Sequence, residues 1–102
     1  MKLENKTSII ILNNQRRLTN RETEYLSLAA MGFKNWEIAN ILFVSISTVK
    51  KAFEIIFRKL SAKDRAHAVT IAFIHKLLNA HILTNVSEKY KLKTSYLAKP
   101  NI

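Results

Sequence analysis

An all-helical domain is what this sequence predicts, and three observations carry the prediction. Glycine and proline each occur once in 102 residues, too few for the many tight turns of a β fold. Hydrophobic residues recur at intervals of three and four, the period of a helix buried on one side. Side chains able to cap a helix stand at the head of several of these runs.

The first helix is signalled by Thr19 and Glu22. Their spacing is that of a capping box, in which each side chain satisfies a backbone N–H that the helix leaves unpaired. Tyr25, Leu26, Leu28 and Ala29 follow at helical spacing, and Gly32 supplies the left-handed residue that stops the helix. A second helix is expected over Asn35–Leu42, with Ile38, Ala39, Ile41 and Leu42 inward and Phe43 and Val44 making the turn. Ala39 is small, as close helix packing requires.

Ser45 caps a third helix over Ile46–Leu60. Ile46, Val49, Phe53, Ile56 and Leu60 step by three or four and define one inward stripe. Ser47, Lys51, Glu54 and Arg58 define the opposite stripe, with Lys50 beside it, so the outward face is polar and mostly basic. Asp64 caps a fourth helix from Arg65. That helix is apolar nearly all round, through Ala68, Val69, Ile71, Ala72, Phe73, Ile74, Leu77 and Leu78. No glycine ends it, so it is expected to run on to about Ala80. Burial on two sides, one of them by a partner subunit, follows from such a pattern.

The flanks are less patterned. Residues 1–17 read as a basic N-terminal arm around Ile9-Ile10-Ile11-Leu12, and residues 18–80 as the helical domain. Residues 81–102, with Lys89, Lys91, Lys93 and Lys99, read either as a basic tail or as a short extra helix. Only 17 residues precede the domain, so no sensory domain is expected ahead of it.

The composition narrows the function. At 48% hydrophobic and 24% charged residues, the chain can build a core. A net charge of +10, from 17 basic and 7 acidic residues, attracts polyanions, nucleic acid first and an anionic membrane surface second. There is no cysteine, so disulfides and thiolate metal sites are excluded, which fits a cytoplasmic protein. No apolar run is long enough to span a bilayer, and no signal-peptide pattern is present. His67, His75 and His81 are spaced eight and six apart and do not share a helix turn, so no metal or cofactor is expected. No phosphate loop or nucleophile motif supports an enzyme.

A short helix, a tight turn and a longer helix with a basic outer face form a helix-turn-helix arrangement. An α-helix is narrow enough for the major groove of duplex DNA. Lysine and arginine around it neutralise phosphates and release counterions. Lys50 and Lys51 lie in the N-terminal half of the third helix, the part that approaches base edges; Arg58 lies later, toward the phosphates. Glu54 either accepts a hydrogen bond from a cytosine amine or pairs with Lys50 or Arg58 on its own helix.

The same residues match a family. Leu18-Thr19-Asn20-Arg21-Glu22-Thr23-Glu24, Gly32-Phe33-Lys34-Asn35-Trp36-Glu37-Ile38-Ala39, Leu42-Phe43-Val44-Ser45 and Ser47-Thr48-Val49-Lys50 resemble LuxR/GerE-type DNA-binding domains of bacterial regulators. Arg58-Lys59-Leu60, Arg65 and Ala68 close the pattern, which covers about residues 17–78. Sigma-factor region four begins similarly, but the Ser45–Lys50 segment and the Lys59-Leu60 ending favour LuxR/GerE. The resemblance implies a four-helix domain with its third helix in the major groove and its fourth supporting dimerisation. It implies base or phosphate contacts from Lys50, Lys51 and Glu54, and contacts to the DNA backbone from Ser47 and Thr48. With Ala68 and Ala72 facing the core as in the family, Phe73, Ile74 and Leu77 turn toward a second subunit.

The chain also departs from that pattern. Ala52 stands where His or Tyr is usual, Ile55 where a polar residue is common, Lys34 where Ser caps, and Trp36 where a basic residue stands. Trp36 is read either as partly buried packing or as a contact to the sugar-phosphate backbone or to protein. Two functions remain beside the leading one of a dimeric, sequence-specific regulator of transcription that binds double-stranded DNA. One is an interaction protein that modulates another transcription regulator by heterodimerisation or as a decoy. The weaker one is a basic binder of anionic membrane, which needs a solvent-facing amphipathic stretch.

Overall fold

The computed structural model describes residues 17–92. Among these are five helices and no strand: α1 (Asn20–Ala30), α2 (Asn35–Leu42), α3 (Ile46–Leu60), α4 (Arg65–Ile74) and α5 (Ala80–Lys89). The Ile9-Ile10-Ile11-Leu12 run and Lys93 and Lys99 lie outside the described residues.

Each helix begins where a side chain or backbone pairing can satisfy its first N–H groups. The Thr19 hydroxyl accepts from the Glu22 N–H at 3.0 Å, and the Glu22 carboxylate accepts from the Thr19 N–H at 2.9 Å. Ser45 caps α3 through the Thr48 N–H at 3.1 Å, Asp64 caps α4 through the His67 N–H at 2.8 Å, and Asn79 caps α5 through the Ile82 N–H at 2.8 Å. At α2, Lys34 has no acceptor to offer as a cap. Glu37 compensates, its carboxylate accepting from the Lys34 N–H at 2.8 Å.

The helices close on one core. Tyr25, Leu26 and Leu28 of α1 meet Ile38, Ala39 and Leu42 of α2, and Val49, Phe53, Ile56 and Leu60 of α3. Ala68 and Ala72 let α4 lie close against this layer, while Leu83 and Val86 fasten α5. Tyr25 meets Phe53 edge-on, with ring centres 5.9 Å apart. α1 packs against all four other helices, and α3 packs against α1, α2 and α4. The reading-helix candidate is thus held on three sides.

Three expectations need correction. Ile46 does not belong to the inward stripe: it is 46% exposed. As the first residue of α3 it lies ahead of the helix contacts that bury Val49, so its periodicity has nothing to pack against. Trp36 is 54% exposed, which removes the core-packing reading for most of its surface. The third correction is that α4 stops at Ile74 rather than continuing to about Ala80. The Leu77 N–H donates to Ala72 O at 2.7 Å and the Lys76 N–H to Phe73 O at 3.2 Å, which is a Schellman ending. Lys76 itself takes the left-handed conformation, φ 62°, that glycine normally supplies there. The segment 81–102, expected as a basic tail or a short extra helix, contributes most of α5, which begins one residue earlier at Ala80 and ends at Lys89.

A left-handed side-chain-bearing residue costs roughly 1–2 kcal/mol. Glycine removes that strain but gives back part through its freer unfolded state. Lys76→Gly is therefore expected to stabilise the domain by about 0.5–1 kcal/mol, seen as a higher midpoint in thermal unfolding. An unchanged or lower midpoint contradicts the strain argument.

Candidate nucleic-acid interface

The interface is built on α3, because its two faces are cleanly divided. Val49, Phe53, Ile56 and Leu60 are buried, whereas Ser47, Thr48, Lys50, Lys51, Glu54 and Arg58 are all exposed. The structure therefore brings all six of these sequence-derived candidates to the exposed surface of one helix. At its head, the Ser45 hydroxyl lies 3.1 Å from that of Ser47 and 2.9 Å from that of Thr48, so the cap also orients both hydroxyls. Among the described residues no ion pair joins Glu54 to Lys50.

Beside this face runs a groove of 420 Å³, lined by Asn35, Lys50, Glu54, Lys63 and Arg65 among others. Its floor is fixed by Arg65 at the start of α4. The guanidinium donates to Asn35 Oδ1 at 2.7 Å and to the Phe33 carbonyl oxygen, and lies 4.7 Å over the Phe53 ring. One side chain thereby ties α4 to the N-terminus of α2 and to the core side of α3. Burial pushes the Arg65 pKa down, but an arginine remains charged.

A second tie reaches the turn between α2 and α3. Arg21 donates to Leu42 O at 3.3 Å, to Glu24 Oε1 at 3.1 Å and to the Tyr90 hydroxyl at 3.0 Å. Tyr90 donates to Glu24 Oε1 at 2.7 Å, and Lys89 to Glu24 Oε2 at 2.5 Å. At the other end of α3, Lys59 pairs with Glu22 at 2.7 Å. Sequence reading missed both ties as contacts. One signal was available: with 7 acidic against 17 basic residues, each carboxylate has cations to choose from, and Glu22 takes one while Glu24 takes two.

These ties make acid stability testable. Burial pushes the Glu24 carboxyl up, but hydrogen bonds from Lys89, Tyr90 and Arg21 together hold it below the ordinary glutamate range. Glu22 behaves alike: burial raises it, and Lys59 with the Thr19 N–H brings it lower. A carboxyl with a lowered folded pKa contributes stability that is fully present above its unfolded pKa and is lost as pH falls through the folded value. Stability is therefore expected to drop on acidification through the carboxylate range, and Glu24→Gln to flatten that drop. Urea unfolding followed across a pH series measures it; equal slopes for both proteins contradict the assignment.

Of the residues expected at a subunit contact, Phe73 and Ile74 are exposed at 41% and 67% at the end of α4. Leu77 lies past the helix end and is half-buried against the core. A shallow groove of 480 Å³ lies between α1 and α4, lined by Ala29, Ala30, Arg65, Ala66, Val69 and Thr70.

Comparison with known proteins meets this geometry. The model of the bacterial regulatory proteins of the luxR family matches residues 16–72, more than half of the chain. The chain belongs to the LuxR family of bacterial regulatory proteins. This family is one of DNA-binding regulators, and the match runs from the head of α1 into α4. Among similar proteins, the transcriptional activator protein BjaR1 of Bradyrhizobium diazoefficiens is 43% identical over 63 residues, 62% of this chain and 26% of that protein. The response regulator protein VraR of Staphylococcus aureus is 46% identical over 61 residues, 60% of this chain and 29% of its own length. VraR of Staphylococcus saprophyticus aligns to the same extent. The matched segment thus spans under a third of the length of these curated relatives. No solved structure matches. The LuxR-family segment holds α1, α2, α3 and most of α4; α5 lies beyond it. No helix among the described residues is long and apolar enough to cross a membrane.

Proposed function

We propose that this LuxR-family chain is a sequence-specific, DNA-binding transcription regulator of the cytoplasm, with α3 entering the major groove of double-stranded DNA. The observation that carries the reading is the division of α3. Its stripe of Val49, Phe53, Ile56 and Leu60 is buried against the other helices, while its exposed side holds Lys50, Lys51, Arg58, Glu54 and two oriented hydroxyls. In this reading Lys50, Lys51 and Glu54 meet base edges, Ser47 and Thr48 meet the DNA backbone, and Arg58 meets a phosphate. The net charge of +10 supplies the nonspecific attraction.

The protein acts as a homodimer in this reading, with Phe73 and Ile74 in the contact and Leu77 at its margin. Two large apolar side chains adjacent at one helix end, beside a shallow groove, support that surface. A second reading, heterodimerisation with another regulator, draws on the same pair and on Ile55, half-buried on α3. Selection from random duplexes, followed by sequencing, tests both. Enrichment of a motif with two related half-sites supports the dimeric regulator. Failure to enrich any sequence, with a regulator still bound, favours the second reading.

A further inference from the structure

Five large hydrophobic side chains are exposed among the described residues: Trp36, Phe43, Ile46, Phe73 and Ile74. The last two are absorbed by the proposed subunit contact. The other three fall within eleven consecutive residues of the helix-turn-helix, and Ile46 differs from its two neighbours in position. Trp36 lies in the first turn of α2, and Phe43 follows its last residue in the left-handed conformation. Ile46 opens α3 itself, directly after the Ser45 cap.

Its placement there is specific. Residues three and four apart are neighbours on a helix surface, so Ile46 stands at the edge between buried Val49 and exposed Lys50, while Ser47 adjoins Lys51. The first turn of α3 therefore presents an isoleucine, two hydroxyls and, one turn on, two ammonium groups. A helix that approaches DNA by its N-terminal residues brings this first turn to the base edges. Hydroxyls and ammonium groups suit the hydrogen-bonding atoms of the groove; an exposed sec-butyl group suits only its one apolar feature, the 5-methyl of thymine. Isoleucine is also β-branched, with few side-chain rotamers to lose on contact.

We infer that Ile46 is a specificity-determining residue that packs against a thymine 5-methyl group in the major groove, so that the protein prefers thymine at one position of each half-site. The inference rests on the DNA-binding reading above, and the test separates the two. Duplexes enriched by the wild-type protein are resynthesised with single thymines replaced by deoxyuridine. That replacement keeps every hydrogen-bonding group and removes only the methyl. At one position per half-site, wild-type affinity is expected to fall about three- to fivefold, the factor equivalent to about 0.8 kcal/mol for one buried methyl. Ile46→Ala is expected to bind the thymine and deoxyuridine duplexes alike at that position while melting at the wild-type temperature.

Two results overturn the inference and leave DNA binding intact. One is wild-type protein that tolerates every thymine replacement in its enriched duplexes. The other is Ile46→Ala retaining the full methyl dependence. If the wild-type protein enriches no duplex, the DNA-binding reading fails and takes this inference with it.

Discussion

Arg65→Ala is expected to destabilise the domain by about 3 kcal/mol, the order of two charged hydrogen bonds to part-buried acceptors. Arg65 is half-buried and fills three roles at once. It satisfies the Phe33 carbonyl in the α1–α2 connection, the Asn35 amide oxygen at the head of α2, and the face of Phe53 in α3. Alanine removes the guanidinium donors from both part-buried oxygens and its cover from the Phe53 ring. Lysine does not repair the loss. Its single ammonium cannot span two acceptors as a planar guanidinium does, and it stacks less well on a ring. Arg65→Lys is expected to recover less than half of the stability. Urea unfolding gives both values, with the slope of the transition unchanged if the native state keeps its compactness. A loss within about 0.5 kcal/mol, typical of an ordinary surface change, would falsify the structural role. Because Arg65 joins α4 to α2 and α3, DNA affinity is expected to fall alongside stability.

Local chemistry made most of the helices legible. Thr19 with Glu22, Ser45 and Asp64 mark starts because a cap is decided within three or four residues. The stripe from Val49 to Leu60 is legible because helical period and burial coincide along the middle of α3. At the helix head the same period misplaces Ile46, since the arc a residue occupies says nothing about whether a neighbour reaches that far. The end of α4 was misread for another reason. The pattern assigns a left-handed stop to glycine, and here Lys76 provides it, held by the Leu77 and Lys76 N–H bonds to α4 carbonyls. Gly32 does follow the rule, with φ 93° at the end of α1.

The candidate interface divides the same way. Ser47, Lys50, Lys51, Glu54 and Arg58 were placed on the outside by periodicity alone, and they are exposed. What holds α3 in place was not readable by that route. Glu24 meets Lys89 and Tyr90 across some 65 residues of sequence, and no local pattern records a partner at that separation. The placement of α5 depends on the same contacts, which is why residues 81–102 admitted two readings.

Lys51→Ala is expected to narrow the difference between enriched and random duplexes by about 5- to 150-fold, equivalent to roughly 1–3 kcal/mol for a lost base contact. Lys51 lies opposite the buried stripe, one turn beyond Ser47, where a side chain aims most directly into a groove that receives α3. Arg58 shares that arc but lies two turns further along, where the helix rises toward the DNA backbone. Arg58→Ala is therefore expected to weaken enriched and random duplexes together and to lower the salt slope by about one unit, because one fewer counterion is released. Both variants are melted first, since Arg58 also contacts other parts of the protein and a shift in fold would mimic lost binding. Affinities are then taken at several salt concentrations for an enriched and a random duplex. A base contact changes the ratio of the two affinities at every salt; a phosphate contact changes the slope and leaves the ratio. If Lys51→Ala leaves the ratio intact and lowers the slope, Lys51 binds phosphate, and base reading falls to Lys50 and Glu54.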